Sequence, residues 1–348
     1  MVSMNTIPGY TNTRDGVQVG DKLISQNGKF LAEDALFLRQ MGVEWVMVEG
    51  PSGEANVKEY KEIVRDVEKH DLKVYRLANG YFHNMDVITL NLEGRDKRLE
   101  GYLNYIRALG EAGVYYSTYA HMANGIWRSG KTKRIRGGEY GEGLDLKSTK
   151  TRGRWNGIEY DALLSHGREY SQDELWDNYE YFISRVAKVA EDSGVYIGIH
   201  PDDPPVYTLA GIPRGIFGTF DGYKRAIEIA DSPNIGVCLC CGCWLQGGDD
   251  MGVDVYDAVR YFASIDKLFK LHVRNVTNPI SEGAFAETYP SDGYGDIPKI
   301  MKILFEENFD GCVINDHLAP MVGGSRVSAA FQTAYLLGLA DALYNDFF

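Results

Sequence analysis

The sequence of 348 residues lacks several features that would place it in common protein classes. No run of about 18 apolar residues is present, so we expect no membrane-spanning helix, and no cationic start precedes an apolar segment, so we expect no secretory signal. Positive charge is scarce: 36 Lys and Arg stand against 49 Asp and Glu, a net charge of −13. This balance disfavours nucleic acid or an anionic membrane as the main partner. A small anionic substrate stays compatible, because a local group of cations can reverse the field inside a pocket.

Cysteine is also rare, and its distribution does not suit a disulfide framework. The sequence has five cysteines, at positions 238, 240, 241, 243 and 312. Four of them crowd into one strand-like stretch, and an odd total is typical of a reducing, cytoplasmic compartment. A zinc ribbon needs a second Cys-x-x-Cys pair, and the sequence has none.

No G-x-G-x-x-G motif or P-loop opens a helix, which disfavours a nucleotide-binding open sheet. Instead, short apolar segments alternate with amphipathic helical ones. The predicted strands are residues 43–49, 72–79, 114–121, 195–200, 235–240, 268–273 and 312–316. An eighth is expected near residues 5–10, before a helix at 30–41. Repeated βα units with continuous apolar strands predict one α/β domain over residues 1–348, a (β/α)₈ TIM barrel.

A long insertion, residues 122–170, interrupts this rhythm after the fourth strand and therefore lies on the catalytic face of the predicted barrel. It contains a basic run at residues 128–136. Loops of this length are usually functional or disordered. Two interpretations stay open: a solvated loop, or a lid that brings cations to an acidic substrate.

Four potential metal ligands end four successive predicted strands. They are His200, Cys240, His272 and Asp316. A barrel brings its strand ends together on one face, so these side chains are expected to form one site. Two imidazoles, a thiolate and a carboxylate suit Mn²⁺, Zn²⁺ or Fe²⁺ better than Mg²⁺, which prefers oxygen ligands. Each residue taken singly could instead be part of the core.

Other polar residues near these strand ends are candidates for substrate chemistry. Arg274 follows His272 on the same strand face, where a guanidinium suits a carboxylate; the alternative is an ion pair with Asp202 or Asp316. His317 is a candidate general acid or base, and Glu287 is a weaker candidate for the other role. As further substrate contacts we expect Asp202, Arg214, His121 and Trp127.

Several motifs resemble the mannonate dehydratase family over roughly residues 195–345. They are His200-Pro-Asp-Asp-Pro-Pro205 with Gly211-Ile-Pro-Arg214, Cys240-x-Gly242, His272-x-Arg274, Phe285-x-Glu287 with Gly295-Asp296, and Asp316-His317. The resemblance implies a xylose-isomerase-like barrel that holds Mn²⁺ on the same four ligands. It also implies dehydration of D-mannonate to 2-keto-3-deoxygluconate, a step of hexuronate catabolism.

The chain departs from the family at substrate-side positions. The family has His where this chain has Ala286 and Pro290, Arg-Pro where it has Ile314-Asn315, and Gly where it has Leu318. We therefore expect the substrate to be a sugar acid other than D-mannonate. We also expect the protein to be cytoplasmic and to form a homo-oligomer. The alternatives are a metal-dependent sugar isomerase or epimerase, a keto-sugar β-eliminase, and a non-catalytic sugar-acid-binding relative.

Overall fold

Eight parallel strands form one sheet that curves into a barrel in the computed structural model, which describes residues 17–205 and 207–347. In chain order the strands are β1 Gln18–Leu23, β2 Trp45–Glu49, β3 Lys73–Ala78, β4 Tyr116–Ala120, β5 Tyr196–His200, β6 Ile235–Cys240, β7 Leu268–Val273 and β8 Cys312–Asn315. Their order across the sheet is β3-β2-β1-β8-β7-β6-β5-β4. The predicted TIM barrel is confirmed.

The barrel is nearly closed between β3 and β4. Side chains rather than a strand ladder join these two strands: the Tyr105 hydroxyl donates to Leu77 O at 2.7 Å and lies 3.2 Å from Ser117 Oγ. A single bridge joins Asn84 to Ala120 beyond the end of the strands. Among the described residues, no strand ladder therefore closes the sheet between β3 and β4.

Helices follow the strands and cover the outside of the sheet. They are α1 Ala32–Gln40, α2 Val57–Glu68, α3 Arg95–Glu111, α4 Gln172–Ser193, α5 Phe220–Ala230, α6 Val255–Ser264, α7 Ile297–Glu306 and α8 Ser325–Phe347. Short helices add Gly80–His83, Asp86–Thr89 and Cys241–Gly247. The sequence specifies the start of α4 by a capping box, in which Ser171 and Glu174 each bond the other's backbone N–H. Among the described residues, no helix is both long enough and apolar enough to cross a bilayer.

The first barrel strand does not lie where the sequence predicted it. The predicted position, residues 5–10, is outside the described residues, and the strand between β2 and β8 is Gln18–Leu23. Its sequence, Gln-Val-Gly-Asp-Lys-Leu, has none of the continuous apolar character of the other strands. A Cβ at Gly20 would lie 2.6 Å from Cys312 Sγ and 2.8 Å from Trp45 O, so only glycine fits between the neighbouring strands.

The insertion after β4 is folded and packs against the loop that follows β7. Its strands are Ile126–Arg128, Gly130–Arg134, Tyr140–Asp145, Arg152–Trp155 and Ile158–Tyr160. Tyr140–Asp145 pairs antiparallel with Ala284–Thr288, which in turn pairs with Asn275–Val276. The insertion thereby joins the β7 side of the barrel at its C-terminal face.

Candidate active site

Four side chains meet where β5 to β8 end. His200 and Cys240 are the last residues of β5 and β6, His272 is the penultimate residue of β7, and Asp316 directly follows β8. One ligand atom of each lies within 4.8 Å of the others. The convergence follows from the barrel, because register pairs Cys240 with His272 and His272 with Ile314. The predicted grouping of these residues is therefore observed.

The surroundings of the two histidines leave one ring nitrogen of each free for a ligand. His200 Nδ1 lies 2.7 Å from Pro201 O, so a proton on Nδ1 leaves Nε2 as the electron-pair donor. His272 Nε2 lies 3.6 Å from Cys238 Sγ. Its Nδ1 has no hydrogen-bond partner, although it is buried and only 3.4 Å from Asp316 Oδ1. An unpartnered buried nitrogen beside a carboxylate and a thiol fits a divalent cation.

The two acidic donors of this group are held in their anionic forms. Burial acts to raise the pKa of Cys240, but a hydrogen bond from the Cys243 side chain and the charge of Arg274 outweigh it and hold that pKa well below its ordinary value. Burial likewise opposes ionisation of Asp316, and the cationic forms of His317 and His272 with Arg274 keep its pKa well below normal. A thiolate and a carboxylate beside two imidazoles form a donor set for a borderline divalent metal.

Arg274 is fully buried and already paired with carboxylates of the protein. Its guanidinium lies 3.2 Å from Asp203 Oδ2, 3.2 Å from Glu287 Oε1 and 3.3 Å from Asp316 Oδ2. The structure thus favours the ion-pair alternative for this arginine. Asp316 is one partner, as that alternative named, but the acid from the His-Pro-Asp-Asp loop is Asp203 rather than Asp202.

Arg128, from the insertion, completes the buried ionic network. It contacts Asp203 in a bidentate manner, at 2.7 and 2.9 Å, and Glu287 through Nε at 3.1 Å. Between them, Arg128 and Arg274 hold the pKa of Asp203 well below normal despite its burial. The pKa of Glu287 falls to about 2 because His317 and the two arginines outweigh burial.

His317 is the member of this network that reaches solvent. Its Nδ1 lies 2.8 Å from Glu287 Oε2, and its side chain is 36% exposed. Burial lowers the pKa of His317, but Asp316 and Glu287 raise it to a net value above the ordinary one. With Nδ1 held by Glu287, Nε2 is the nitrogen left for another molecule.

A cavity of about 330 Å³ opens beside these residues. Its polar wall includes Arg76, His83, His200, Asp203, His272, Asp316 and His317, and its apolar wall includes Met47, Met122, Ile126, Ile314 and Leu318. The wall is therefore mixed, and apolar side chains such as Ile314 and Leu318 stand beside the charged groups.

The other four predicted substrate contacts form a separate buried group that does not line this cavity. Arg214 Nη2 donates to Asn124 Oδ1 and Gly125 O, each at 2.7 Å, and Arg214 Nη1 lies 3.9 Å from Asp202. Trp127 Nε1 also donates to Asn124 Oδ1, at 3.0 Å. His121 packs against Tyr119, whose hydroxyl lies 2.5 Å from His121 Nδ1. These contacts fix the base of the insertion on the barrel.

Sequence reasoning missed the part of the cavity that β3 and its following loop supply. A bulge places Arg76 toward the cavity: Val46 pairs with Val74 and Met47 with Arg76, so the strand register skips Tyr75. His83 and Trp155 stack beside it, with ring centroids 5.1 Å apart. The sequence feature that could have indicated this part of the cavity is Arg76, a charged residue in the middle of a mainly apolar strand.

The fold and the site define a xylose-isomerase-like barrel with a candidate metal centre at the C-terminal face. Among solved structures, a xylose isomerase domain protein from Alicyclobacillus acidocaldarius subsp. acidocaldarius superposes with a TM-score of 0.60 at 13% identity, over 94% of this chain and 99% of that one. The mannonate dehydratase from Streptococcus suis serotype2 gives 0.80 at 22% identity, over 96% and 95%.

Within that class, the chain belongs to the D-mannonate dehydratase (UxuA) family, whose sequence profile matches residues 153–348. Mannonate dehydratase 1 of Halalkalibacterium halodurans is 29% identical over 334 residues, 87% of this chain and 90% of its own. The mannonate dehydratase of Geobacillus thermodenitrificans is 29% identical over 345 residues, 88% of each. The chain is thus a homologue of mannonate dehydratases, which are hydro-lyases.

Proposed function

We propose that the protein is a metal-dependent hydro-lyase that removes water from a sugar acid and forms a 2-keto-3-deoxy acid. The observation that carries this proposal is the grouping of four metal-type donors, three of which line one cavity together with His317. Dehydration needs two kinds of help. A proton must leave the carbon beside the carboxylate, and a hydroxyl must leave the next carbon.

His200, Cys240, His272 and Asp316 would hold the metal, for which we propose Mn²⁺. The donor set, with one thiolate, argues against Mg²⁺. When bound, such an ion supplies positive charge that stabilises the negative charge building on the substrate carboxylate and its adjacent oxygen. The chain's own contribution is to orient these donors: His200 contacts Pro201 O, His272 contacts Cys238 Sγ, and Cys240 Sγ accepts from Cys243 N–H. Asp316 lies 3.3 Å from Arg274.

His317 transfers the proton, and Glu287 is its positioning residue. His317 lines the cavity, where its Nε2 would take a proton from the substrate carbon and return one to the departing hydroxyl, so that water leaves and no net proton is consumed. Glu287 does not line the cavity. It orients the ring through Nδ1 at 2.8 Å and stabilises the imidazolium form by its charge.

The activity is tested by incubating the Mn²⁺-loaded protein with a panel of aldonates that includes D-mannonate, together with neutral keto-sugars. Colorimetric detection of a 2-keto-3-deoxy acid identifies a dehydratase, and a product of unchanged mass identifies an isomerase or epimerase. Because Ile314 and Leu318 make part of the cavity wall apolar, we expect an acid other than D-mannonate to turn over best. Formation of no keto acid from any aldonate would contradict the proposal.

The metal prediction is that purified protein carries close to one divalent ion per chain. Replacing His200 or His272 with Ala is expected to remove it, because each supplies one of only four donors. Metal content by mass spectrometry checks this. His70→Ala is the matched control, since His70 packs on Phe30 away from the cluster. Full activity of metal-free protein in excess chelator would contradict the prediction.

A second prediction concerns the reactivity of Cys240. As a metal-bound thiolate it should resist alkylation, and chelation should increase its labelling because the freed thiolate is nucleophilic. Peptide mapping after iodoacetamide treatment measures the change. Cys312, buried outside the cluster with a raised pKa of about 12, is the internal reference and should label equally slowly in both states. Equal labelling of Cys240 with and without metal would show that Cys240 is a buried core residue and not a metal ligand.

The insertion at residues 122–170 is proposed as a lid, and the chain as a single domain. Met122, Ile126 and Trp155 from this segment line the cavity, which supports the lid.

Five buried cysteines without disulfides support a cytoplasmic location. Exposed apolar side chains at Ile24, Leu31 and Leu36 support a homo-oligomer.

A further inference from the structure

Arg76 is a buried cation without an acidic partner. It lies on β3, is 8% exposed and lines the same cavity as His200 and His272. Within the part of the chain that the structure describes, no carboxylate oxygen lies within 4.0 Å of its guanidinium. Its Nε–H has no acceptor either. Arginine cannot lose its proton in a protein, so the charge persists in this environment.

Among the described residues, the polar side chain that contacts Arg76 is His83, which is a poor partner for a cation. Its Nδ1 lies 3.0 Å from Arg76 Nη2 and 2.9 Å from Thr118 O. If Nδ1 carries the proton, it donates to Thr118 O and offers Arg76 nothing. If it does not, Arg76 gains a single bond to a neutral ring. Burial lowers the pKa of His83 well below its ordinary value, and the charge of Arg76 lowers it further.

A second donor without an acceptor among the described residues lies against His83, the neighbour of Arg76. Trp155 also lines the cavity, and its Nε1 is buried without a hydrogen-bond partner among the described residues. The Trp155 ring stacks on His83 at an interplanar angle of 25°. The N–H groups of Arg76 and Trp155 are buried without an acceptor, and such groups lower the stability of a folded protein. A bound ligand with a hydrogen-bond acceptor would remove this cost. An anionic ligand supplies that acceptor.

The other cations near the cavity do not compete for this role. Arg274 is held by three carboxylates and does not line the cavity. Arg326 lines it but pairs with Asp34 at 2.7 Å, and Lys22 is exposed. The one nearby acid of β1, Asp21, accepts from Thr333 Oγ1 at 2.6 Å and from Asn315 at 3.4 Å. Arg76 is thus the buried cation of the cavity that is left for a ligand.

We propose that Arg76 binds the carboxylate of the sugar acid, in the place that the sequence assigned to Arg274. The planar guanidinium offers paired N–H donors that match a carboxylate. Because Arg76, His200, His272 and His317 line one cavity, a carboxylate bound by Arg76 also meets the charge of the metal held by the clustered donors, and its neighbouring carbons extend toward His317. This inference takes the substrate class from the proposed function, but binding and turnover can be measured separately.

The test compares Mn²⁺-loaded wild type, Arg76→Met and Arg76→Lys by calorimetry with D-mannonate, D-gluconate and the neutral D-mannitol. Arg76→Met is expected to weaken binding of the acids by about 10- to 100-fold, the effect of one charged hydrogen-bonding group. Binding of D-mannitol should not change. Arg76→Lys, which keeps the charge but not the planar fork, should fall between the two.

Thermal unfolding without ligand separates binding from structure. Because Arg76 has no counterion to lose, Arg76→Met should unfold at the wild-type temperature or above it, with unchanged metal content. The same variant should lose the increase in unfolding temperature that D-gluconate gives the wild type. A lower unfolding temperature together with unchanged affinity for the acids would make Arg76 structural and overturn the inference.

The two proposals fail in distinguishable ways. If the wild type binds aldonates through Arg76 but forms no keto acid, the inference stands and the dehydratase proposal falls. If a keto acid forms and Arg76→Met leaves the KM for the acid unchanged, the inference falls and the dehydratase proposal stands. Failure of the wild type to bind either acid would also overturn the inference.

Discussion

Replacing His317 with Asn is expected to lower turnover of the best aldonate by about 10²- to 10⁴-fold, the usual contribution of a general acid or base. The amide side chain would fill similar space but could not carry a proton between substrate atoms. Single-turnover formation of the 2-keto-3-deoxy acid measures the loss. Metal content should stay near the wild-type value, because His317 is not one of the four clustered donors.

The companion variant is Glu287→Gln, which keeps a hydrogen-bond acceptor for His317 Nδ1 but removes the charge. Glu287 raises the pKa of His317. Its loss should therefore lower that pKa and move the pH profile of turnover toward lower pH, with a smaller drop in rate than in His317→Asn. A His317→Asn protein that binds metal normally and keeps full turnover would remove the proton-transfer role, and an unmoved profile in Glu287→Gln would remove the positioning role.

The metal donors could be predicted from the sequence because their placement depends only on strand order and period. Each of β5 to β8 is mainly apolar up to its ligand, with Lys270 of β7 the one charged residue, so the strand ends could be located in the sequence. Parallel strands in a barrel end on one face whatever the loops do. The side chains of His200, Cys240, His272 and Asp316 then predicted a single metal site. In the structure, one ligand atom of each lies within 4.8 Å of the others, which agrees with that prediction.

The partners of the arginines could not be predicted in the same way. Asp202 and Asp203 are adjacent and chemically identical, and the path of a proline-rich loop decides which one faces Arg274. Arg128 comes from an insertion whose pairing with Ala284–Thr288 has no local signal. Arg76 enters the cavity because Tyr75 is bulged, and a bulge breaks the alternation on which strand reasoning rests.

Replacing Asp203 with Asn is expected to lower the free energy of unfolding by about 3–5 kcal/mol, the typical cost of removing one partner of a buried ion pair. Asp203 is 1% exposed and is shared by Arg128 and Arg274. Without its charge, two buried guanidinium groups depend on Glu287 and Asp316 alone. Urea unfolding of the metal-free protein at pH 6, followed by fluorescence, measures the difference.

Asp202→Asn is the matched control, one residue away and equally buried. Burial raises the pKa of Asp202 to about 7, so at pH 6 its carboxyl is mostly neutral and an amide replaces it closely. Its nearest cation, Arg214, is 3.9 Å away. We expect a loss below about 1 kcal/mol. Equal losses in the two variants would show that the loop, rather than the charge of Asp203, carries the stability.

The dependence on pH has a definite sign. The arginines lower the pKa of Asp203, so its ionised form adds stability that is fully present above the unfolded-state pKa of about 3.9. That contribution is lost as the pH falls toward the depressed folded-state pKa. The gap between wild type and Asp203→Asn should therefore be constant from pH 5 to 6 and shrink below about pH 3.9. A gap that persists undiminished in acid would contradict an electrostatic origin.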